Sequence, residues 1–361
     1  MVNDLDELRK DVREIDREII NLIGKRSEIT KKIGKRKKEE GIPLRNWDVE
    51  KVVIDNAVEV ADELGISVGL IKSIMQQLIA ESRIQQEILH YSAYRGDKEN
   101  ILIIGGLGEM GQWFSYFFQN QGHNVSIYDI RGKSEIFQSY RYLDQAVKGA
   151  SCALIATSLE AVPKIINELA ELKFKGIVFD IASLKNYLID SIKGANEKGI
   201  SITSIHPMFG SNARTLADKV ICFCDCGSEE ANRRVEAFFK ATAISMVKLS
   251  LDEHDRAISY VLGLSHIVNI IFMKALMAGG YKYKELDKIA STTFLSQMAT
   301  SSNVIKENPH LFYAIQKFNP FKQELYENLT GVVKDVTNIV LSENKEQFIE
   351  IMETGRRWLE D

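Results

Sequence analysis

Cysteine is scarce, four residues in 361, too few to staple a secreted fold, and the few thiols fit a reducing compartment. Three of them, Cys222, Cys224 and Cys226, alternate as residues on one face of a strand do. With no clear fourth ligand they read as packing, and no metal is expected. Long apolar runs are missing too: no stretch approaches the length that spans a bilayer. The first residues, Met-Val-Asn-Asp-Leu-Asp-Glu, are acidic where a secretory signal would be basic. A soluble cytoplasmic protein with no membrane partner is the expectation. Charge of one sign is not in excess either, and a net charge of -4 gives no pull toward nucleic acid. The basic run Lys31, Lys32, Lys35, Arg36, Lys37 and Lys38 reads as the solvated face of a helix. Glycine and proline thin out beyond residue 252, which predicts a helical end to the chain.

What is present fills more than one core. A chain of 361 residues exceeds a single ordinary domain, and with 45% apolar and 27% charged residues it should fold rather than stay disordered. Leu5, Leu8, Val12, Ile15, Ile19, Leu22, Ile29 and Ile33 recur with the 3-4 spacing of a coiled-coil seam, predicting one long helix over 5–38 that ends at Gly41-Ile42-Pro43. A second helix is expected over 48–64, closed by Gly65, and a third from a Ser67 cap to about residue 91. The first helix would be about 50 Å long, too long for a compact three-helix monomer, so an intertwined homodimer is expected. After a polar stretch the periodicity changes. Short apolar runs at 101–104, 125–128, 153–156, 177–179, 200–205 and 220–223, separated by helical stretches, predict an α/β sheet. The expected organisation is a helical domain over 1–92, a linker over 93–99, an α/β domain over 100–250 and a helical domain over 251–361.

Between the first two strands, Gly106-Leu107-Gly108-Glu109-Met110-Gly111 fits the GxGxxG pattern in the context its mechanism needs: strand before, helix after, Asp129 at the end of the next strand. Gly106 would make the tight turn, Gly108 would let a pyrophosphate approach the helix N-terminus, and Gly111 would let helix and strand pack closely. Asp129 would accept hydrogen bonds from the adenosine ribose and repel a 2′-phosphate, which favours NAD over NADP, with Arg131 nearby. The domain is therefore read as Rossmann-type.

Asp180-Ile181-Ala182-Ser183-Leu184-Lys185-Asn186 and His206-Pro207-Met208-Phe209-Gly210 each follow a predicted strand, where ligands of open α/β sheets bind. A histidine there can take a substrate proton as hydride leaves. Together with Glu253-His254-Asp255, these motifs resemble the prephenate dehydrogenase family over residues 100–361. The resemblance implies that His206 is the catalytic base on the ring hydroxyl, that Ser183 orients it and the nicotinamide, and that His254, at the start of the helical domain, stands at the substrate end. It also implies oxidative decarboxylation of prephenate to 4-hydroxyphenylpyruvate with NAD. The family's carboxylate-binding arginine, expected within 291–298, is missing; Arg214 is the first candidate to replace it, ahead of Lys274, Lys317 and Lys322.

On the first helix Arg26 interrupts the apolar seam, and a charge there is either a register device or a ligand-binding group. Residues 5–89 resemble the all-helical chorismate mutases, with Arg9, Arg26, Lys37, Arg45 and Glu50 at matching spacing. The resemblance implies that Arg9 reaches a partner subunit's site, that Arg9 and Arg26 bind carboxylates, that Arg45 binds substrate, that Lys37 donates to the ether oxygen of chorismate, and that Glu50 meets its hydroxyl. Val49 and Asn46 depart from the pattern, standing where some members carry arginine and aspartate. A second donor to the ether oxygen is expected on the third helix, with Glu87 preferred over Gln86; a glutamate donates only when protonated, so activity would rise below neutral pH. The whole resembles the fusion of chorismate mutase to prephenate dehydrogenase. The competing reading is a dehydrogenase for arogenate or 4-amino-4-deoxyprephenate whose N-terminal helices serve only dimerisation or regulation.

Overall fold

The computed structural model describes residues 2–40, 47–91, 94 and 96–360, apart from the side chains of 2–4, 38, 47 and 87–91. The chain divides into two compact units, one of residues 1–157, 161–182 and 191–248, the other of 158–160, 183–190 and 249–361.

The first unit opens with three helices, α1 (Val2–Glu40), α2 (Trp47–Glu63) and α3 (Val68–Tyr91). Gly65, at φ +66°, takes the left-handed conformation that ends α2, and the Ser67 hydroxyl accepts the Leu70 N–H at 3.4 Å to start α3. The second half of α1 packs on α3, and Gly34 is what lets them meet: a Cβ there would lie 2.7 Å from Gln86 Cγ. Among the described residues the first half of α1 has no such neighbour. Leu5, Leu8, Val12, Ile15, Ile19 and Leu22 of the seam are all at least half exposed.

The rest of this unit is built on eight strands: β1 (Asn100–Ile104), β2 (Asn124–Tyr128), β3 (Gln138–Tyr140), β4 (Cys152–Ile155), β5 (Ile177–Asp180), β6 (Ser201–Pro207), β7 (Val220–Cys224) and β8 (Ser245–Leu249). Their order in the sheet is β3-β2-β1-β4-β5-β6-β7-β8; the first six are parallel and β7 runs antiparallel to β6. This is the order of a doubly wound dinucleotide fold with two strands added at one edge. Strands β1, β4 and β5 are buried almost throughout, as parallel strands covered on both faces must be. Helices α4 (Glu109–Asn120), α5 (Leu143–Ala146), α6 (Val162–Glu171), α7 (Ile189–Glu197) and α8 (Glu229–Phe239) fall between the strands. Phe114, Phe117 and Phe118 of α4 and Phe238 and Phe239 of α8 join Phe179 and Phe223 of the sheet in one core.

The polar stretch before β1, expected to be a linker, is tied down at two described points. The Tyr94 ring lies 4.5 Å from that of His123, and the Glu99 carboxylate takes a two-oxygen ion pair from Arg234 Nη2 at 2.8 Å. The buried His123 Nδ1 accepts the Glu99 N–H at 3.0 Å, and burial, against the opposing charge of Glu99, lowers its pKa to about 4. None of the four cysteines is in a disulfide among the described residues, and all four are buried; Cys222 and Cys224 lie in β7, whereas Cys226 falls just beyond it.

In the second unit the chain runs through α9 (Leu251–Ile258), a π turn (Ser259–Leu264), α10 (Ser265–Ala278), α11 (Tyr283–Asp287), α12 (Thr292–Lys306), α13 (Pro309–Phe318), α14 (Lys322–Leu341) and α15 (Lys345–Glu360). Contrary to the expectation that no apolar stretch is long enough to cross a bilayer, the continuous helix Leu251–Ala278 has the length and composition to do so. The run escapes a sequence scan because Asp252, Glu253, His254, Asp255 and Arg256 fill its first turns and the apolar stretch follows them. Little of its apolar stretch is fully buried in the single chain, which leaves a face for packing against other helices.

Candidate active sites

The first candidate lies where α1, α2 and α3 meet. Arg26 reaches from α1 to α3, its Nη1 donating to Leu78 O at 3.0 Å and to Ser82 Oγ at 2.7 Å. Four residues along α3, Gln86 is 7% exposed and donates through Nε2 to Thr30 O on α1 at 3.2 Å. Lys37 is half-buried near the end of α1; desolvation lowers its pKa and the charge of Glu50, on the first turn of α2, partly restores it. Glu50 in turn has Arg83 Nη1 of α3 at 3.6 Å. Arg26, Lys37 and Glu50 are thus gathered on one three-helix junction. Ser82 and Arg83 were not foreseen; the only signal is that Ser82 precedes Gln86 by one helical turn.

Arg9 stands apart on the exposed half of α1, 66% exposed and paired among the described residues with Asp6 of its own helix at 3.2 Å. Arg45 lies outside the described residues, as does the side chain of Glu87. On the face of α3 that meets α1 the residue is Gln86.

The second candidate begins at the glycine loop after β1. Its tight turn is made by Gly105, at φ +86°, and not by Gly106 as the motif suggests; a Cβ at Gly105 would sit 2.4 Å from Ala156 O. Gly106 instead packs under Ile127, where a Cβ would come within 2.6 Å of the side chain. Gly111 does what its motif position predicts, since a Cβ there would lie 2.3 Å from Gly105 O. Gly108 is the N-cap of α4 and supplies no side chain, so the cap position is open to a ligand's oxygens. Asp129, at the end of β2, accepts Leu107 N–H at 3.0 Å and a forked pair from Arg131 Nε and Nη2 at 3.0 and 2.9 Å. Burial alone would raise the Asp129 pKa, but these hydrogen bonds hold it below the ordinary carboxylate value. A bare loop facing a carboxylate at the end of the next strand fits the pyrophosphate and ribose of a dinucleotide.

His206 is buried at the carboxyl end of β6, opposite Cys222 of β7. Arg214, a few residues on, is exposed and lines a groove of about 400 Å³ with Glu109, Trp113 and Ser211. Trp113 Nε1 donates to Ala213 O at 3.0 Å and holds this loop against α4.

In the second unit, Ser250 and Glu253 form a capping box that starts α9, on which His254 and Asp255 are completely buried. The Asp255 carboxylate accepts Lys185 N–H at 2.8 and 3.0 Å, Asn186 N–H at 2.8 Å and the His254 Nδ1–H at 2.8 Å. It therefore fixes both the segment that carries Ser183 and the tautomer of His254, leaving Nε2 as the histidine's other face. Asp255 was visible only as the third letter of a motif, with no role of its own. Arg256 was also missed: its guanidinium lies 4.3 Å over the Phe321 ring. Of the weaker cations, Lys317 lies 5.1 Å over the Phe318 ring, and Lys322 Nζ donates to Lys317 O.

A cation-lined helical junction and a dinucleotide fold with a buried histidine define a chain with two enzyme modules. Comparison with known proteins gives the same division. The chorismate mutase type II model matches residues 8–87, the prephenate dehydrogenase nucleotide-binding domain matches 121–240, and the prephenate dehydrogenase dimerization domain matches 250–354. A chorismate mutase of Methanocaldococcus jannaschii is 30% identical over 87 residues, 24% of this chain and 88% of that protein. A T-protein of Enterobacter agglomerans is 21% identical over 361 residues, covering 100% of this chain and 94% of the relative. The solved structure of A. aeolicus prephenate dehydrogenase, in complex with hydroxyphenyl propionate and NAD+, superposes with a TM-score of 0.61 at 16% identity, covering 74% of this chain and 100% of that one. The chain belongs to the bifunctional chorismate mutase and prephenate dehydrogenase family, the T-protein type.

Proposed function

We propose that the chain catalyses two consecutive steps of tyrosine biosynthesis, isomerising chorismate to prephenate and then oxidatively decarboxylating prephenate to 4-hydroxyphenylpyruvate with NAD. The observation that carries this reading is the presence, along one chain, of a type II mutase module and both prephenate dehydrogenase modules. Domain boundaries at 1–92, 93–99, 100–250 and 251–361 suit these matches.

In the mutase site Arg26 binds a substrate carboxylate, Lys37 and Gln86 donate to the ether oxygen, and Glu50 meets the hydroxyl. The rearrangement needs no covalent catalyst; the site holds the compact conformer and stabilises charge on the breaking carbon–oxygen bond. In the dehydrogenase, Gly108 and Asp129 seat the cofactor, and bound NAD supplies the hydride acceptor. His206 accepts the ring hydroxyl proton, Ser183 orients it, and His254, held by Asp255, faces the substrate. Loss of carbon dioxide gives an aromatic ring, so the step is irreversible. Arg214 is the proposed carboxylate anchor.

The working unit is a homodimer of the cytoplasm. The uncovered seam of α1 suits a second copy, with Arg9 delivered to the other subunit's site, and the apolar face of Leu251–Ala278 suits pairing of the helical domains. Assaying the protein with prephenate, arogenate and 4-amino-4-deoxyprephenate, each with NAD and NADP, tests the dehydrogenase reading. Turnover of prephenate with NAD is expected to dominate. Dominance of either amino substrate would overturn it.

A further inference from the structure

We propose that Arg83 of α3 is a further substrate-binding residue of the mutase site, and that Asp218, from the dehydrogenase part of the chain, is the residue that positions it. The inference rests on the mutase reading above. Arg83 is adjacent to Ser82, which holds Arg26, and one turn from Gln86. Its side chain is 16% exposed, and its Nη1 lies 3.6 Å from the Glu50 carboxylate and 2.8 Å from that of Asp218. Yet the buried Nε and Nη1 make no hydrogen bond among the described residues, so the carboxylates hold the guanidinium by charge, off the axes of these N–H groups.

A buried guanidinium with donors left over is costly unless something accepts from them. The site it flanks turns over a dicarboxylate, and guanidinium matches a carboxylate in a planar, two-bond fork. A chorismate carboxylate supplies the missing acceptors. Asp218 sits just before β7 with φ +63°, a left-handed conformation uncommon for a residue with a Cβ. From there its carboxylate meets Arg83. One wall of the mutase pocket is thereby anchored on the dehydrogenase fold.

The test uses the full chain as wild type, Arg83→Ala, Arg83→Lys, Asp218→Asn and the Arg83→Ala/Asp218→Asn double variant, with Arg26→Ala as reference. Arg83→Ala is expected to raise the mutase KM for chorismate about ten- to a hundredfold, the scale of one charge-assisted hydrogen bond lost, while prephenate oxidation is unchanged. Asp218→Asn is expected to raise the same KM by about a factor of three to ten, with little change in kcat. In the Arg83→Ala background it should do nothing more, because its effect passes through Arg83. Arg83→Lys should recover part of the loss. An unchanged or lowered KM in either single variant, or additive effects in the double variant, would overturn the proposal. If the wild type lacks mutase activity, or Arg26→Ala keeps it intact, the mutase reading itself fails.

Discussion

Replacing Asp255 by asparagine changes one oxygen into an amide and leaves the volume alone, so the consequences can be worked from geometry. The native carboxylate is completely buried and serves three donors, the Lys185 and Asn186 N–H groups and His254 Nδ1–H, all at 2.8 Å at their shortest. An asparagine has one accepting oxygen. If that oxygen keeps Lys185 and His254, its NH2 faces the Asn186 N–H, donor against donor. If it turns the other way, the NH2 faces Nδ1 and forces the imidazole into the opposite tautomer. Both arrangements lose the charge assistance; the first also strands a buried donor and the second imposes the other tautomer on His254, at a cost of about 3–5 kcal/mol. Chemical denaturation should show that loss in the transition of the helical unit. Steady-state kinetics should show kcat/KM for prephenate falling by about a hundredfold or more, since about 3 kcal/mol of substrate positioning is at stake. Mutase kinetics should be unaffected. A loss below about 1 kcal/mol with unaltered prephenate kinetics would refute the role given to the carboxylate.

Four further outcomes follow from the same contacts. Gln86→Ala should cut mutase kcat by about a hundredfold while Glu87→Gln leaves an already flat acid limb unchanged; a wild-type rate that climbs below neutral pH and flattens in Glu87→Gln would restore the glutamate as donor. Lys37 must be protonated to donate, and burial places its pKa below the ordinary lysine range while Glu50 holds it up. Mutase activity should therefore fall on the alkaline side earlier than a free lysine would dictate, and earlier still in Glu50→Gln; an alkaline limb that does not move in that variant contradicts the pairing. Because Arg131 occupies both oxygens of Asp129, Arg131→Ala should free the carboxylate for the ribose, lowering the KM for NAD and worsening use of NADP by about tenfold; equal effects on both cofactors would count against it. His123 is neutral in the fold and readily protonated in the unfolded chain. Its contribution is complete above pH 6.5 and is lost as pH falls toward about 4, a change of about 2–3 kcal/mol that His123→Gln should abolish in acid denaturation.

The parts legible in the sequence are those whose cause is local. Six strands announce themselves as short, largely apolar runs, most plainly β1, β4 and β5, which are covered on both faces. The two that do not, β3 and β8, lie at the edges of the sheet, where Gln138-Ser139-Tyr140 and the largely exposed Ser245–Leu249 carry no such pattern. Arg26 was conspicuous because it breaks a periodic seam, and the helix junction shows where it goes. Gly105 and Gly106 cannot be told apart by a motif, since only the backbone angle says which one turns. Pairings such as Arg83 with Asp218, or Asp255 with Lys185 and Asn186, join residues far apart in the chain, and nothing in either neighbourhood marks them. Arg9 is legible as a cation, but on the exposed half of α1 it meets Asp6 of its own helix, and the sequence does not say what else it would reach.

The central claim, two successive reactions on one chain, is tested most directly by giving the protein chorismate and NAD and nothing else. The account predicts NADH and 4-hydroxyphenylpyruvate in equal amounts. It also predicts that Arg26→Ala blocks this flux from chorismate but not from prephenate, whereas His206→Asn lets prephenate accumulate. NADH from added prephenate but none from chorismate would contradict it, as would a His206→Asn variant that still oxidises prephenate at the wild-type rate.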